Sequence, residues 1–313
     1  MNSCGILSLL IFKDRNDPPQ AAPHSTLVRL WRIPHSPFRI RHSTIVILHS
    51  RGGSPMDFEP HKEVAVTAAE KGARILESRF GTILRIRKKV AQEIVTEADT
   101  ESEKEIIAVI RSNFPEHGIL SEECGLTTGS SEYRWIIDPL DGTVNFAHRV
   151  PIFCISIALS YRDAVVLGIV FNPLSGELFS AVSGQGAQLN GLPIQVSSIA
   201  SVSESLLATG FPYNVNEIFD PIITRYGNCL KSAQGIRRLG SAALDLCYVA
   251  CGRFEGYWEQ NLKAWDTAAG ALIATEAGGQ VTTFSHQPYT VDQIEILATN
   301  GHIHGEMLEL LKI

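Results

Sequence analysis

Two carboxylates at the end of one apolar run are the residues of this sequence best placed to do chemistry. In "WIIDPLDGTVNF" (residues 135–146) the apolar run ends at Asp138, and Asp141 follows three residues later, directly before Gly142. Pro139 favours extended backbone at the residue before it, and a tight turn at this spacing can point both carboxylates at one place. Gly142 lets a ligand approach the backbone closely, and the free N–H groups of a helical turn starting here would bind an anion. The stretch therefore offers cation ligands beside a phosphate site.

Acids elsewhere in the chain help to decide whether the two aspartates form a cation site or only cap a helix. Taken alone, the two aspartates are equally consistent with acids that cap a helix. However, Glu122 follows the apolar part of "GILSEECG", Asp99 ends "IVTEAD", and Asp266 opens a segment of small residues in "AWDTAAG". Asp99 and Asp266 are each more typical of a helix cap when taken singly. Acids at four element ends together are harder to explain as caps and favour a cation site, because clustered carboxylates repel one another without a compensating charge.

The elements that must position these acids follow from hydrophobic periodicity and turn residues. The second of the predicted helices is capped by Thr100, with Glu103 at the spacing of a capping box. The pattern predicts helices over 61–81, 100–114, 216–232, 241–252, 264–279 and 301–312, and strands over 133–138, 153–161, 164–172, 205–211, 254–260, 280–284 and 295–300. Their order indicates a mixed α/β protein in two layered halves, with a boundary near residue 200.

Composition and charge exclude several classes of protein. The chain has 313 residues, 44% of them hydrophobic, and no apolar run of the roughly 18 residues that a membrane span needs. Residues 1–55 hold seven Lys and Arg and two acids, a net charge of +5, whereas residues 56–313 hold 20 and 31, a net charge of −11. An acidic body disfavours nucleic acid and suits a protein that collects cations. The six cysteines are scattered, which predicts free thiols.

The first 55 residues allow three interpretations. Their content of Arg, His and Ser and their few acids resemble a transit peptide, which would direct the protein to an organelle. The simpler interpretations are a disordered extension, or a start codon assigned too early with Met56 as the true first residue, and these are preferred because composition alone says little. We therefore expect a cytoplasmic protein whose ordered part is residues 56–313.

Three motifs together resemble a known family. "DPLDGTVNF" and "WDTAAG", with "SEECG" upstream, are similar to the signatures of the inositol monophosphatase family of Mg²⁺-dependent, lithium-sensitive phosphatases. The resemblance covers about residues 56 to 313. It implies a layered αβαβα sandwich of the sugar-phosphatase type, a homodimer and a small phosphate ester as substrate.

The resemblance also implies a ligand set. Bound Mg²⁺ would be held by Glu122, Asp138, Asp141, Asp266 and the backbone carbonyl of Leu140, with Asp99 at a weaker additional metal site. Oxygen ligands without His or Cys independently favour Mg²⁺ over Zn²⁺.

A mechanism follows from that ligand set. Bound Mg²⁺ would activate a water for direct attack on the phosphorus, Thr143 and Glu122 would orient and deprotonate this water, and no phosphoenzyme is expected. The expected catalytic residues are thus Glu122, Thr143 and Asp141. The N–H groups of Gly142 and Thr143 would hold phosphate oxygens.

The substrate pocket is implied in the same way. Glu259, in "GYWEQ", would bind hydroxyl groups of the substrate, and "GSA" would line the same pocket. The full set of expected substrate contacts is Asp141, Gly142, Thr143, Gly240, Ser241, Ala242, Glu259 and Asp266. For Glu259, a solvated strand end is nearly as consistent with the sequence alone.

Three functions remain in view. The leading hypothesis is hydrolysis of myo-inositol monophosphate, and "RRLGSAALD" is closer to that branch of the family than to others. A rival of the same class is a related sugar phosphatase, for example a fructose bisphosphatase. A rival of a different class is a non-catalytic member that binds a protein partner or RNA machinery through the same fold.

Overall fold

A computed structural model describes residues 57–82, 86–88 and 94–313, and an eight-stranded sheet organises the first part of this region. The predicted extension over residues 1–55 lies outside the described residues. The sheet has the order β10-β9-β8-β7-β6-β5-β3-β4. Its strands are β3 (Gly118–Ser121), β4 (Gly125–Thr127), β5 (Tyr133–Asp141), β6 (Cys154–Tyr161), β7 (Ala164–Asn172), β8 (Glu177–Val182), β9 (Ala187–Leu189) and β10 (Leu192–Ile194). Two short antiparallel strands precede it, β1 (Ile86–Lys88) and β2 (Ile94–Thr96).

A five-stranded sheet organises the second part, and the chain passes from one sheet to the other between Ile194 and Leu206. It has the order β12-β11-β13-β15-β14 and mixes parallel and antiparallel pairs. Its strands are β11 (Leu206–Thr209), β12 (Gly235–Arg237), β13 (Gly256–Gln260), β14 (Gln280–Thr282) and β15 (Glu295–Thr299).

Seven α-helices among the described residues cover the faces of the two sheets. They are α1 (Glu59–Arg79), α2 (Glu97–Asn113), α3 (Thr143–Ala147), α4 (Phe219–Ser232), α5 (Ala242–Ala250), α6 (Ala264–Glu276) and α7 (His304–Leu311). Two short 3₁₀ turns lie at Val202–Glu204 and Val215–Glu217.

Four apolar clusters show the order of the layers. Side chains of α1 and α2 pack on one face of the first sheet, and α5 and α6 pack on its other face. The same two helices cover one face of the second sheet, and α4 and α7 cover the opposite face. This is the predicted αβαβα sandwich. Strands β6 and β7 are apolar along nearly their whole length because both faces of the first sheet are covered.

Helix α2 begins earlier than the sequence pattern predicted. The N-cap is Thr96, whose hydroxyl accepts the N–H of Ala98 at 3.1 Å, while Oδ2 of Asp99 accepts the N–H of Thr96 at 2.8 Å. Thr100, the predicted cap, instead donates its hydroxyl to the Glu97 carbonyl. The sequence contains two consecutive stretches with capping spacing, "TEAD" and "TESE". The first one forms the cap, and Asp99 and Glu103 then lie buried on one side of the helix.

No described helix is both long and apolar enough to span a bilayer. The scattered cysteines are free thiols where the structure describes them, as predicted: Cys124, Cys154, Cys229, Cys247 and Cys251.

A buried histidine near the C-terminus makes stability depend on pH. His304 is 2% exposed, and its ring nitrogens lie 2.9 Å from Thr282 Oγ1 and 2.8 Å from Thr299 Oγ1. Thr282 donates its own proton to the Thr283 carbonyl, so this hydroxyl accepts from Nε2–H, and the other ring nitrogen accepts from Thr299. The network fits a neutral ring. Burial, with a smaller effect of His286, lowers the pKa of His304 to about 4.

We therefore expect folding stability to fall on acidification through His304. Because the folded-state pKa lies below the ordinary value, the stabilisation is complete above about pH 6.5 and is lost as the pH falls towards 4. Between pH 7.5 and pH 5 this one group should cost about 2 kcal/mol. Urea unfolding of the wild type and of His304→Gln at both pH values measures this loss. The free energy of unfolding of the wild type minus that of the variant should be smaller at pH 5 than at pH 7.5 by about 2 kcal/mol. An equal difference at both pH values would contradict the prediction, and His302→Gln, at an exposed neighbour, controls for the substitution.

Candidate functional site

One cavity of about 230 Å³ gathers nearly all the residues that the sequence singled out. It is lined by Glu122, Asp138, Leu140, Asp141, Gly142, Thr143, Gly240, Ser241, Ala242, Glu259 and Asp266, together with residues discussed below. Of the predicted site residues only Asp99 is absent from the wall. Segments from both sheets and the start of α6 meet there, so the site forms only when the layers are assembled.

Parallel strands bring Glu122 beside Asp138. β3 and β5 are parallel neighbours, with Ser121 opposite Ile137. Each acid is the next residue after that pair, and the Glu122 N–H donates to the Ile137 carbonyl at 3.2 Å. Acids that end neighbouring parallel strands must lie at the same edge of a sheet.

A bulge in β5 turns Asp138 and Asp141 to the same side. Side chains alternate along a strand, so residues three apart would normally point to opposite faces. Against β6, however, Asp138 pairs with Ser156 and Asp141 with Cys154, so the bulged strand has one residue more than its partner. One extra residue reverses the alternation. The bulge contains Pro139, which has no N–H to give to a ladder.

Each of the three aspartates on the wall has one oxygen fixed by the protein. Oδ1 of Asp138 accepts the Leu140 N–H at 2.9 Å, and Oδ2 of Asp266 accepts the Lys263 N–H at 2.7 Å. Oδ2 of Asp141 accepts the Ser241 hydroxyl at 2.6 Å and the Ala243 N–H at 2.8 Å. An aspartate can therefore cap a helix or turn and also bind a cation. One carboxylate oxygen accepts the protein's hydrogen bonds, and the lone pairs of the other oxygen are available to a metal ion.

The acids raise one another's pKa. Burial, followed by the charge of Glu122, raises the pKa of Asp138 well above its usual range, and burial raises the pKa of Asp141 to about 6. Burial and the charge of Asp141 raise the pKa of Asp266 in the same way. A divalent cation would offset this repulsion, and all-oxygen donors suit Mg²⁺.

The ligand cage is not pre-assembled. Within residues 57–82, 86–88 and 94–313, no three His, Cys, Asp or Glu side chains already stand in an arrangement that could hold a metal ion. The donor types and their common cavity nevertheless fit a hard cation. The metal ligands therefore stay a prediction.

Asp99 lies behind Thr143. Its Oδ1 accepts from Thr143 Oγ1 at 3.0 Å, and its Oδ2 accepts both the N–H and the hydroxyl of Thr96. Burial raises the pKa of Asp99 to about 6. Both carboxylate oxygens therefore already have partners inside the protein. The sequence placed Thr143 and Glu122 together on the attacking water; in the structure the Thr143 hydroxyl also lies 3.0 Å from the Leu140 carbonyl.

Gly142 forms the corner between β5 and α3. Its φ of +98° is in the left-handed region, and a Cβ there would lie 2.9 Å from the Ile152 carbonyl oxygen. Only glycine fits both conditions. The corner starts α3 at Thr143, as predicted for a helical turn, and the first amides of a helix have no partner within it.

Glu259 is buried on the opposite wall. The Tyr257 hydroxyl donates to its Oε2 at 2.6 Å, and burial raises the pKa of Glu259 to about 7. A Cβ at Gly210 would collide with this carboxylate, so the glycine provides its space. The alternative of a solvated strand end for Glu259 is therefore wrong in this structure, since the residue is 8% exposed. Ser241, predicted to contact substrate, has its hydroxyl directed at Asp141 instead.

Several residues of the wall were not predicted. The Arg238 guanidinium lies 5.9 Å from the centre of the Phe211 ring. Its positive charge partly opposes the rise that burial causes in the pKa of Glu259. Asn145 donates to the carbonyls of Ile152 and Leu239, each at 2.8 Å, and so ties the corner to the "GSA" segment. The signals were present in the quoted motifs, as the second arginine of "RRLGSAALD" and the asparagine of "DPLDGTVNF". Trp265 likewise stands in the quoted "WDTAAG", whereas Lys263 and Asn261 lie outside the quoted motifs.

The arrangement matches a defined class of phosphatases. Residues 57–312 match the Inositol monophosphatase family, and the chain belongs to this family. An inositol-1-monophosphatase of Synechocystis is 44% identical over 260 residues, which are 82% of this chain and 91% of the relative. A Nus factor SuhB of Haemophilus influenzae is 40% identical over 256 residues, 81% of this chain and 96% of the relative. The solved structure of an inositol monophosphatase from Anabaena superposes with a TM-score of 0.75 at 40% identity, over 82% of this chain and 96% of that one.

Proposed function

We propose that this protein hydrolyses a phosphomonoester in a Mg²⁺-dependent reaction, and that its substrate is myo-inositol monophosphate. The observation that carries the proposal is the meeting of five carboxylates from four segments on one cavity that also contains the Thr143 hydroxyl. The family is one of phosphatases, and the acids predicted as ligands are all present.

The carboxylates have the task of holding the cation. Glu122, Asp138, Asp141 and Asp266, with the Leu140 carbonyl, would hold Mg²⁺, and Asp99 is retained as a candidate for a weaker additional site. When bound, Mg²⁺ neutralises charge on the phosphate and lowers the pKa of a water molecule.

Thr143 has the task of placing a proton. Its hydroxyl proton faces Asp99 and the Leu140 carbonyl, which leaves a lone pair of Oγ1 to accept a hydrogen bond from the attacking water. Asp99 therefore acts by holding this hydroxyl in one orientation. Glu122 remains the expected second partner of the water, as a general base.

The amides at the corner have the task of holding the phosphate. The N–H groups of Gly142 and Thr143 precede the first hydrogen-bonded turn of α3 and would donate to phosphate oxygens. The position of these amides is fixed by the left-handed backbone at Gly142.

The opposite wall has the task of binding the alcohol. The Glu259 carboxylate is an acceptor for hydroxyl groups, and Arg238 beside it is a donor, so the two suit an alcohol with several hydroxyls. The segment Gly240, Ser241 and Ala242 closes this side of the cavity. A polyol such as inositol fits these groups. A sugar bisphosphate of the kind that fructose bisphosphatases use is the rival substrate.

A panel of phosphate esters tests the proposal. Purified protein should release phosphate from myo-inositol 1-phosphate only with Mg²⁺, with a kcat/KM at least about tenfold above that for fructose 1,6-bisphosphate. Li⁺ should inhibit. Equal or greater activity on the bisphosphate would favour the rival, and absence of Mg²⁺-dependent release from every ester would overturn the proposal.

A second candidate function rests on the relatives. Several proteins about 40% identical to this chain carry the name Nus factor SuhB, so a role in binding a macromolecular partner is proposed as the alternative. The acidic charge of residues 56–313 disfavours direct binding to nucleic acid. The homodimer and the cytoplasmic location expected from the sequence stay predictions.

A further inference from the structure

Helix α2 turns three buried polar side chains towards the site. Asp99, Ser102 and Glu103 are each at most 2% exposed. Residues three and four apart share one face of a helix, and each of the three has a hydrogen-bond partner in a different site segment. Asp99 holds Thr143, as described above. The partners of Ser102 and Glu103 lie in the two segments that carry Glu122 and Asp138.

Glu103 holds the turn that carries Glu122. Its Oε1 accepts the N–H groups of Glu123 and Cys124 at 3.1 and 3.2 Å, and it also accepts the hydroxyl of Ser121. One carboxyl oxygen thus receives three donors, one from the end of β3 and two from the turn before β4. These donors belong to the residue before Glu122 and to the two residues after it.

The turn has a second attachment on its other side. The N–H of Glu122 itself donates to the Ile137 carbonyl on β5 at 3.2 Å. Every backbone N–H from Glu122 to Cys124 is therefore fixed, one by the sheet and two by Glu103. Without the Glu103 carboxyl, the amides of the half-buried Glu123 and the exposed Cys124 would lose their acceptor, and the turn would be free to move relative to Asp138.

Ser102 fixes the peptide unit beside Asp138. Its hydroxyl donates to the Pro139 carbonyl at 3.0 Å. The same peptide unit carries the Leu140 N–H, which donates to Asp138 Oδ1 at 2.9 Å. Because a peptide unit is planar, fixing the carbonyl also fixes the direction of that N–H.

We propose that Glu103 and Ser102 are positioning residues that set the affinity of the site for its divalent cation. They touch neither cation nor substrate; they hold the backbone on which Glu122, Asp138 and Leu140 are mounted. This inference rests on the proposed function. Residues that orient metal ligands typically contribute about 10- to 100-fold to affinity or activity, and Glu103, with three donors on one oxygen, should contribute more than Ser102.

Mn²⁺ binding measured by electron paramagnetic resonance tests the inference. For Glu103→Ala, binding should weaken at least about tenfold at a temperature where circular dichroism shows the variant folded. Glu103→Gln retains an acceptor oxygen and should restore affinity to within about threefold of the wild type. Glu105→Gln, on the same helix, controls for removal of one negative charge. The Mg²⁺ concentration for half-maximal hydrolysis should shift in parallel, with a smaller change of kcat at saturating Mg²⁺.

The outcomes separate this inference from the proposed function. If the wild type binds Mn²⁺ and hydrolyses the ester but Glu103→Ala binds equally well, the inference is overturned and the function stands. If the wild type binds no Mn²⁺, the proposed metal site fails and the inference fails with it. Should Glu103→Ala not fold, Ser121→Ala removes one of the three donors and Ser102→Ala removes the bond to Pro139. Wild-type affinity in both would overturn the inference.

Discussion

Replacement of Asp141 by Asn should reduce Mg²⁺-dependent phosphate release about 1000-fold or more, equivalent to about 4 kcal/mol of activation free energy. Asp141 Oδ2 already accepts from Ser241 and Ala243. In the variant, the amide oxygen must take over those two donors, so the –NH₂ group points to where the cation would bind. An amide –NH₂ donates and has no lone pair for a cation. The change therefore removes a ligand while leaving the volume of the side chain nearly unchanged.

A matched control separates this effect from loss of folding. Asp163→Asn makes the same chemical change at a side chain that is 88% exposed, in the turn between β6 and β7. Its positive φ of 67° is one that Asn tolerates. This control should keep wild-type activity, and both variants should keep the wild-type circular dichroism spectrum. Full Mg²⁺-dependent activity in Asp141→Asn would refute the role of Asp141 as a metal ligand.

Replacement of Thr143 by Val should lower kcat by about 100- to 10,000-fold, the usual contribution of proton positioning. Val has nearly the shape of Thr but no hydroxyl, so neither Asp99 nor the attacking water would have a partner there. Burial of Asp99 without this partner also costs stability. Because Thr143 is not among the expected metal ligands, Mn²⁺ affinity should change little. Steady-state kinetics at saturating Mg²⁺, together with Mn²⁺ titration, measure the two effects separately.

Thr143→Ser is the conservative control for this prediction. Ser keeps the hydroxyl and should recover most of the activity, to within about tenfold of the wild type, because Oγ can still donate to Asp99. If Val were as active as Ser, the hydroxyl would have no role in the reaction. If Val lost kcat and Mn²⁺ affinity equally, Thr143 would be part of the metal site rather than a group that places a proton.

Local pattern was sufficient for most elements. The central hairpin of β6 and β7 and the helices over the small-residue segments follow from apolar periodicity and turn residues, whereas the αβαβα order of layers and most residues of the wall were implied by the family resemblance. The start of α2 did not, because "TEAD" and "TESE" have equal capping spacing and nothing local distinguishes them. What distinguishes them is burial. When the helix begins at Thr96, Asp99 reaches Thr143 and Glu103 reaches the turn after β3.

The sequence by itself determined which acids the protein possesses, their places at element ends and the family to which they belong. Tertiary structure alone decided how they act together. Asp138 and Asp141 face the same side because of a bulge against β6, which strand alternation does not predict. Glu259 reaches the cavity because the second sheet packs over α5 and α6. The partner of Thr143 is Asp99, 44 residues away in the chain. Contacts of this kind depend on the register of distant segments, and hydrophobic periodicity carries no information on register between elements that are not yet packed.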